Sequence, residues 1–130
     1  MKINISRKAL QSALNDDSEF RLQARYWSGT LQLDFGDDTH VLHLKDGEVT
    51  GIDSSTAPES SLGNVIIHAP AGDWAKLLQK VPVPFYQDFY PASMHHGFRL
   101  KGDHDYIWPY YYALRRAGEV LRTIASVEGK

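Results

Sequence analysis

The sequence has 130 residues, the length of about one domain, and a chain of this size can bury a core without disulfide bonds. Hydrophobic residues make up 42% and charged residues 23%, and the formal net charge of -2 gives no electrostatic basis for a nucleic-acid partner. The absence of cysteine excludes disulfides and thiolate chemistry and is consistent with a reducing compartment.

The hydropathy of the chain predicts a cytoplasmic protein with no integral membrane contact. No stretch approaches the roughly 20 apolar residues of a membrane span. The start of the sequence also lacks the apolar run of a signal peptide. We expect one domain over residues 1–130, made of an N-terminal helix (1–17), a strand meander (20–69) and a helix-linker-strand-helix unit (71–130).

The N-terminal segment has the pattern of an amphipathic helix. Ser6 is placed to cap it, and Asp16-Asp17 are expected at its end as turn and cap residues. The apolar side chains between them repeat at helical spacing and are Ala9, Leu10, Ala13 and Leu14.

Residues 20–69 predict short strands separated by turns. Alternating apolar side chains indicate a first strand at Phe20–Trp27, with Phe20, Leu22, Ala24 and Tyr26 on one side. The further strands are expected at Thr30–Phe35, His40–Leu44, Val49–Asp53 and Asn64–Ala69. Asp46-Gly47 is typical of a type I′ hairpin turn, in which both central residues have positive φ. The apolar run Val65–Ile67 indicates a strand that is central or covered on both faces.

Residues 71–130 begin with a predicted helix, Ala71–Lys80, in which Trp74, Leu77 and Leu78 cluster at helical spacing. Prolines prevent a long regular helix in the linker that follows, and a sixth strand is expected at Gly97–Lys101.

The last helix is expected from Pro109 to about Ile124, after an irregular turn that begins at Asp103, because proline suits a first helical turn. Its predicted buried stripe is Tyr110, Leu114, Ala117, Leu121 and Ile124, and its predicted solvent face carries Arg115, Arg116, Glu119 and Arg122. The arginines could instead meet a carboxylate or phosphate head group.

The order and spacing of these segments resemble the SCP2-like (sterol carrier protein 2) domain family. The resemblance lies in Val65–Ile67, in the Leu77-Leu78 helix end and in the step Leu100-Lys101-Gly102-Asp103 before the last helix; Leu31–Phe35 and Asp46-Gly47 fit the meander. It implies an α+β fold in which an antiparallel sheet of five to six strands has helices packed on one face. It also implies that sterols, fatty acids or acyl-CoA are held between sheet and helices, without chemistry.

The chain departs from the family pattern in two segments. The linker from Val81 to His96 is longer and more aromatic, and His104–Pro109 is inserted before the last helix. Both segments correspond to elements that wall the ligand tunnel of the family, so the family pattern does not identify the ligand of this chain.

Aromatic residues, 12% of the chain, concentrate in its second half and form the predicted ligand-contacting surface. The group consists of Trp74, Phe85, Tyr86, Phe89, Tyr90, Trp108, Tyr110, Tyr111 and Tyr112. All except Tyr110, which belongs to the buried stripe, are our candidate ligand-binding residues. Core packing is the alternative for each of them.

The histidines raise the alternative of a metal or catalytic site. His95-His96 and His104-Asp105 could supply nitrogen and oxygen ligands across a short strand, or an acid and a base near Ser93. However, the sequence has no His-x-x-x-His pair and no Gly-x-Ser-x-Gly motif, and polar exposed loops account for the same residues. We predict no metal ligand, no cofactor and no catalytic residue, and leave enzyme activity open.

Three functions follow from the sequence. The first is noncatalytic binding of a hydrophobic or amphipathic small molecule in a cavity between sheet and helices. The second is an interaction module that pairs with itself or with a partner enzyme through the aromatic segment 81–112. The third is a small enzyme that uses histidine and aspartate side chains of the pocket.

Overall fold

The computed structural model describes residues 2–36, 38–79 and 88–128, and of Lys2, Val127 and Glu128 it describes the backbone alone. The strands are β1 (Lys2–Asn4), β2 (Gly29–Asp34), β3 (Thr39–Lys45), β4 (Glu48–Asp53), β5 (Asn64–His68), β6 (Arg99–Gly102) and β7 (Ser126–Glu128). The helices are α1 (Arg7–Asp16), α2 (Ser18–Ala24), α3 (Ala71–Leu77), α4 (Phe89–His95), α5 (His104–Ile107) and α6 (Tyr111–Ile124).

The main sheet has five strands in the order β4-β3-β2-β5-β6. Its neighbouring strands are antiparallel except β2 and β5, which run parallel with Leu31 beside Val65. The α+β class and the number of strands are confirmed, but the sheet is mixed rather than wholly antiparallel. The reason is the loop from residue 54 to residue 63, which carries the chain across the sheet so that β5 runs in the direction of β2.

The helices pack on one face of this sheet, as predicted. Alternate sheet residues and helix residues share one buried core, which includes Leu31, Leu33, Leu42, Val65 and Ile67 from the strands and Leu10, Phe20, Leu114 and Leu121 from the helices. Val65, Ile66 and Ile67 are all buried, and β5 lies between β2 and β6. Of the two alternatives predicted for this segment, the structure supports the first, a strand inside the sheet rather than at its edge.

The segment predicted as the first strand is instead helical. Asp17 caps α2 by accepting a hydrogen bond from the amide of Phe20 at 2.8 Å. The structure buries Phe20 and Ala24, one helical turn apart, and exposes Leu22 and Tyr26. The alternating apolar residues indicated a strand wrongly, because only Phe20 and Ala24 of the four face the core.

The local signals for the first helix and the hairpin are confirmed. Ser6 caps α1, and its hydroxyl accepts a hydrogen bond from the amide of Ala9 at 3.2 Å. Asp46 and Gly47 have φ values of 50° and 80°, the conformation that a type I′ turn needs.

The C-terminal half follows the predicted order with shifted boundaries. The helix predicted at 71–80 ends at Leu77, and the additional helix α4 follows Asp88. The irregular turn after Asp103 is the short helix α5, capped by Asp103, and α6 begins at Tyr111 rather than Pro109.

Two arginines of α6 form hydrogen bonds to neighbouring helices. Arg116 donates two hydrogen bonds, of 2.9 and 2.8 Å, to the carboxylate of Asp17 and so ties α6 to the start of α2. Arg122 donates to the carbonyl of Leu77 at 2.7 Å and ties α6 to the end of α3. These bonds correct the prediction of a purely solvated arginine face.

A two-stranded sheet formed by β1 and β7, in which Ile3 lies opposite Val127, was not predicted from any sequence pattern. Ile3 is buried in the main core. The paired strands therefore bring the two ends of the described chain together at the edge of that core. In the described ranges, no helix has the length and apolar character needed to cross a membrane.

Candidate functional site: an aromatic groove

An open groove of about 630 Å³ lies along α4 and the start of α6. We call it the aromatic groove, and it is lined by Asp88, Tyr90, Pro91, Trp108, Tyr111 and Tyr112. Helix α4 supplies Tyr90 and Pro91, the turn after α5 supplies Trp108, and α6 supplies the two tyrosines. Residues from two segments that are distant in sequence, the start of α4 and the junction of α5 with α6, therefore meet on one surface.

The consecutive tyrosines at the start of α6 point in different directions because successive helical residues are rotated by about 100°. Tyr110 turns inward and stacks on Trp27, with ring centroids 5.4 Å apart. Tyr111 is partly buried in the groove, and Tyr112 is exposed at its rim. The helix phase thus assigns each tyrosine a separate role.

The rings of the groove form a continuous chain. Tyr90 meets Trp108 edge to face at 5.9 Å, Trp108 stacks with Tyr111 at 6.0 Å, and Tyr111 meets Tyr112 at 6.5 Å. Tyr90, Trp108 and Tyr112 remain 47%, 50% and 64% exposed. Large aromatic side chains clustered at the surface are unusual unless they contact a ligand or partner.

The inner end of the groove is polar. The hydroxyl of Tyr111 accepts a hydrogen bond from the amide of Tyr90 at 2.8 Å and donates one to the carboxylate of Asp88. Burial and this bond to Asp88 raise the pKa of Tyr111 well above its usual range, because both favour the protonated hydroxyl that donates to the carboxylate. The groove therefore combines ring faces with a fixed hydroxyl and a carboxylate.

Asp88 is held in place from two further directions. Its carboxylate accepts a hydrogen bond from the amide of Phe89 at 2.7 Å and so caps α4, and it lies 3.5 Å from Nε of Arg115.

A second, polar depression of about 330 Å³ adjoins the groove at Tyr112 and is lined by Glu19, Gln23, Tyr112, Arg115, Arg116 and Glu119.

The structure divides the predicted ligand-binding residues into three sets. Tyr90, Trp108, Tyr111 and Tyr112 meet in the groove. Trp74 and Phe89 lie in the core, where Trp74 donates from Nε1 to the carbonyl of Asp34 and packs against Phe35 and Phe98 at centroid distances of 4.5 and 4.9 Å. Phe85 and Tyr86 fall outside the described residues.

Asp88 and Pro91 also line the groove, and sequence reasoning missed both. The signal for them was present, because an aspartate followed by a proline within the next turn is typical of a helix start. The helix start was overlooked because the prolines of the linker count as evidence against a regular helix there.

Several polar residues were considered for metal binding or catalysis, and the structure shows the hydrogen bonds of two of them. No group of three or more His, Asp or Glu side chains in residues 2–36, 38–79 and 88–128 is placed to hold a metal ion. The hydroxyl of Ser93 donates to the carbonyl of Tyr90 at 2.8 Å, and Asp103 accepts from the amides of Gly63 and Asp105. These bonds give Ser93 and Asp103 structural roles.

Comparison with solved structures identifies the fold. The crystal structure of sterol carrier protein 2 matches with a TM-score of 0.69 at 24% sequence identity, over 91% of this chain and 94% of that chain. The fold is SCP2-like. The solution structure of a conserved hypothetical protein from Thermus thermophilus, described as a possible sterol carrier protein, matches with a TM-score of 0.66 at 23% identity, over 97% of this chain and 92% of that chain.

No protein-family model and no curated protein matches the chain. At identities near one quarter, the likeness to SCP2 establishes the fold that the sequence predicted. A shared fold does not by itself carry a shared function, so the function has to be argued from the groove.

Proposed function

We propose that the protein binds a hydrophobic or amphipathic small molecule in the aromatic groove and does not convert it; the anionic members of the predicted class, fatty acids and acyl-CoA, suit the groove less well than uncharged ones, because Asp88 lines it. The observation that carries the proposal is the chain of four rings, three of them about half exposed or more, next to a fixed hydroxyl and carboxylate. Rings of this kind bury a large apolar area, and the polar end can orient a ligand. The name of the SCP2 structure agrees with such a cargo.

The groove, although open, has the volume of a small-molecule site. A volume of about 630 Å³ falls within the range of ligand sites in proteins. Burying apolar surface supplies about 25 cal/mol per Å², so covering the exposed half of one tryptophan side chain contributes on the order of 2–3 kcal/mol before ordering costs.

The proposal is tested by titrating the protein with an uncharged amphiphile, 1-decanoylglycerol below its aggregation concentration, by isothermal calorimetry. Trp108→Ala is expected to weaken binding about tenfold, since it removes a half-exposed ring of the groove. Tyr26→Ala is the matched control, because Tyr26 is an exposed aromatic residue outside the groove. Absence of binding, or equal effects of both substitutions, would contradict the proposal.

A second candidate function is an interaction surface for another copy of the chain or for a partner enzyme. It is favoured by Met94, which lies one helical turn after Tyr90 on α4 and is 64% exposed. Methionine, tryptophan and tyrosine are enriched in protein interfaces. Sedimentation equilibrium would show a dimer that Trp108→Ala dissociates; a monomer at every concentration would exclude self-association.

A further inference from the structure

The aromatic groove joins ring faces with one carboxylate, and this combination has a specific chemistry. The face of an aromatic ring carries partial negative charge and attracts cations. The ring planes of Tyr90 and Trp108 are 79° apart and those of Tyr111 and Tyr112 are 68° apart. The planes of Trp108 and Tyr111 are 28° apart, so these two rings stack, while Tyr90 and Tyr112 are turned away from them. The rings therefore present faces in more than one direction.

Asp88 adds a formal negative charge to the same surface. Its side chain is only 14% exposed, and it lines the groove. The guanidinium of Arg115, at 3.5 Å, offsets part of this charge, but the Arg115 side chain is 55% exposed and lines the neighbouring polar depression rather than the groove. Asp88 is therefore an ion-paired carboxylate, and it is the charged residue among those that line the groove.

We propose that the aromatic groove binds a quaternary or methylated ammonium group, with the rings around the cation and Asp88 as its countercharge. This inference rests on the proposed binding function and names the polar group of the ligand. Of the groove residues that the structure describes, none is a lysine or arginine. An anionic head group would meet Asp88 without a partner in the groove, whereas a methylated ammonium is weakly hydrated and suits ring faces.

The test compares two probes of the same shape that differ in charge. Choline carries a trimethylammonium group, and 3,3-dimethylbutan-1-ol replaces its nitrogen by carbon and is neutral. Both are titrated into the protein, and chemical shifts of the tryptophan indole groups and backbone amides are followed by NMR. Choline is expected to bind about tenfold more tightly and to shift Trp108 and the start of α6.

Equal affinity for the two probes, or preference for the neutral one, would overturn the ammonium inference. This result would leave the proposed binding function intact, because 1-decanoylglycerol tests that function without any charge. Conversely, if choline binds and 1-decanoylglycerol does not, the ammonium site stands and the lipid proposal fails.

Substitutions locate the site. Trp108→Leu keeps an apolar side chain but removes the ring, and is expected to lower choline affinity about tenfold. Asp88→Asn removes the charge while an asparagine can still cap α4, and is expected to lower it about fivefold. Tyr26→Leu, outside the groove, should change nothing. Loss of choline binding in Tyr26→Leu, or full binding in Trp108→Leu, would contradict the assignment.

Two sources could supply the ammonium group, namely a free small molecule and the head group of a lipid. Sedimentation with phosphatidylcholine vesicles separates them. Cosedimentation that choline competes away and Trp108→Leu abolishes supports the site with a lipid source. Choline binding without cosedimentation supports it with a free ligand. Cosedimentation that Trp108→Leu leaves unchanged counts against the site.

Discussion

At the scale of single residues, His40 is a buried imidazole whose hydrogen bond requires it to be neutral. Its Nδ1 accepts from Nε of Arg7 at 2.9 Å, and its Nε2 lies 3.6 Å from Asp38. Burial lowers the pKa of His40 below its ordinary value of 6.5; the charge of Asp38 opposes this shift and that of Arg7 adds to it. Protonation would place two cations side by side, so it is coupled to loss of the contact between α1 and β3.

This shift predicts that acid weakens the fold through His40. Below pH 6.5 the unfolded chain takes up a proton that folded His40 resists, so the contribution of His40 to the free energy of unfolding is complete above that pH and declines below it. Urea unfolding from about pH 7.5 to 5 should show the difference between the wild type and His40→Gln shrinking on acidification. A difference independent of pH would contradict the prediction. Glutamine is the conservative replacement, because its carbonyl can still accept from Arg7.

At the scale of elements, α2 shows how a helix and a strand can be confused, and two substitutions separate them. In the helix Phe20 is fully buried while Leu22 is 56% exposed, although a strand would place both on one face. Phe20→Ala should cost about 3–5 kcal/mol of unfolding free energy and Leu22→Ala less than about 0.5 kcal/mol. Denaturant titration measures both, and similar costs would instead support a strand.

The elements that could be predicted are those whose signals are local. Ser6 and the Asp46-Gly47 pair act through adjacent backbone, and both behave as expected. The parallel pairing of β2 with β5 and the ribbon of β1 with β7 depend on contacts between distant segments, which no local pattern encodes. The candidate groove could be anticipated only partly, for the same reason. Residue type drew attention to Trp108 and Tyr111, but the start of α4 and the phase of α6 decide which rings meet.

The junction between β6 and α5 depends on a glycine that no other residue can replace without strain. Gly102 has a φ of 108°, and a Cβ there would press against the backbone carbonyl of Asn64. Gly102→Ala should therefore lower the free energy of unfolding by about 1–3 kcal/mol. Gly51→Ala, in the edge strand β4 where a Cβ meets nothing within 4 Å, is the control and should change it by less than about 0.5 kcal/mol. Equal effects on denaturation would refute the role assigned to Gly102.

At the scale of the whole molecule, the fold separates aromatic residues that hold the core from those that form the groove. Trp74 is fully buried, and its ring contacts Phe35, Phe89 and Phe98. Trp108 is half exposed and contacts Tyr90 and Tyr111. The two sets lie on opposite sides of α4, since Phe89 faces inward and Tyr90 outward.

This division predicts that stability and binding can be lost separately. Trp74→Leu should cost about 2–4 kcal/mol of unfolding free energy, because it leaves a cavity and removes the shorter of two hydrogen bonds to the carbonyl of Asp34. Trp108→Leu should cost less than about 1 kcal/mol yet weaken binding of 1-decanoylglycerol. Denaturant titration and calorimetry on the same samples measure both quantities. If Trp74→Leu weakens binding while the protein stays fully folded, the ligand lies between sheet and helices, as the sequence predicted, and the outer groove is only its approach.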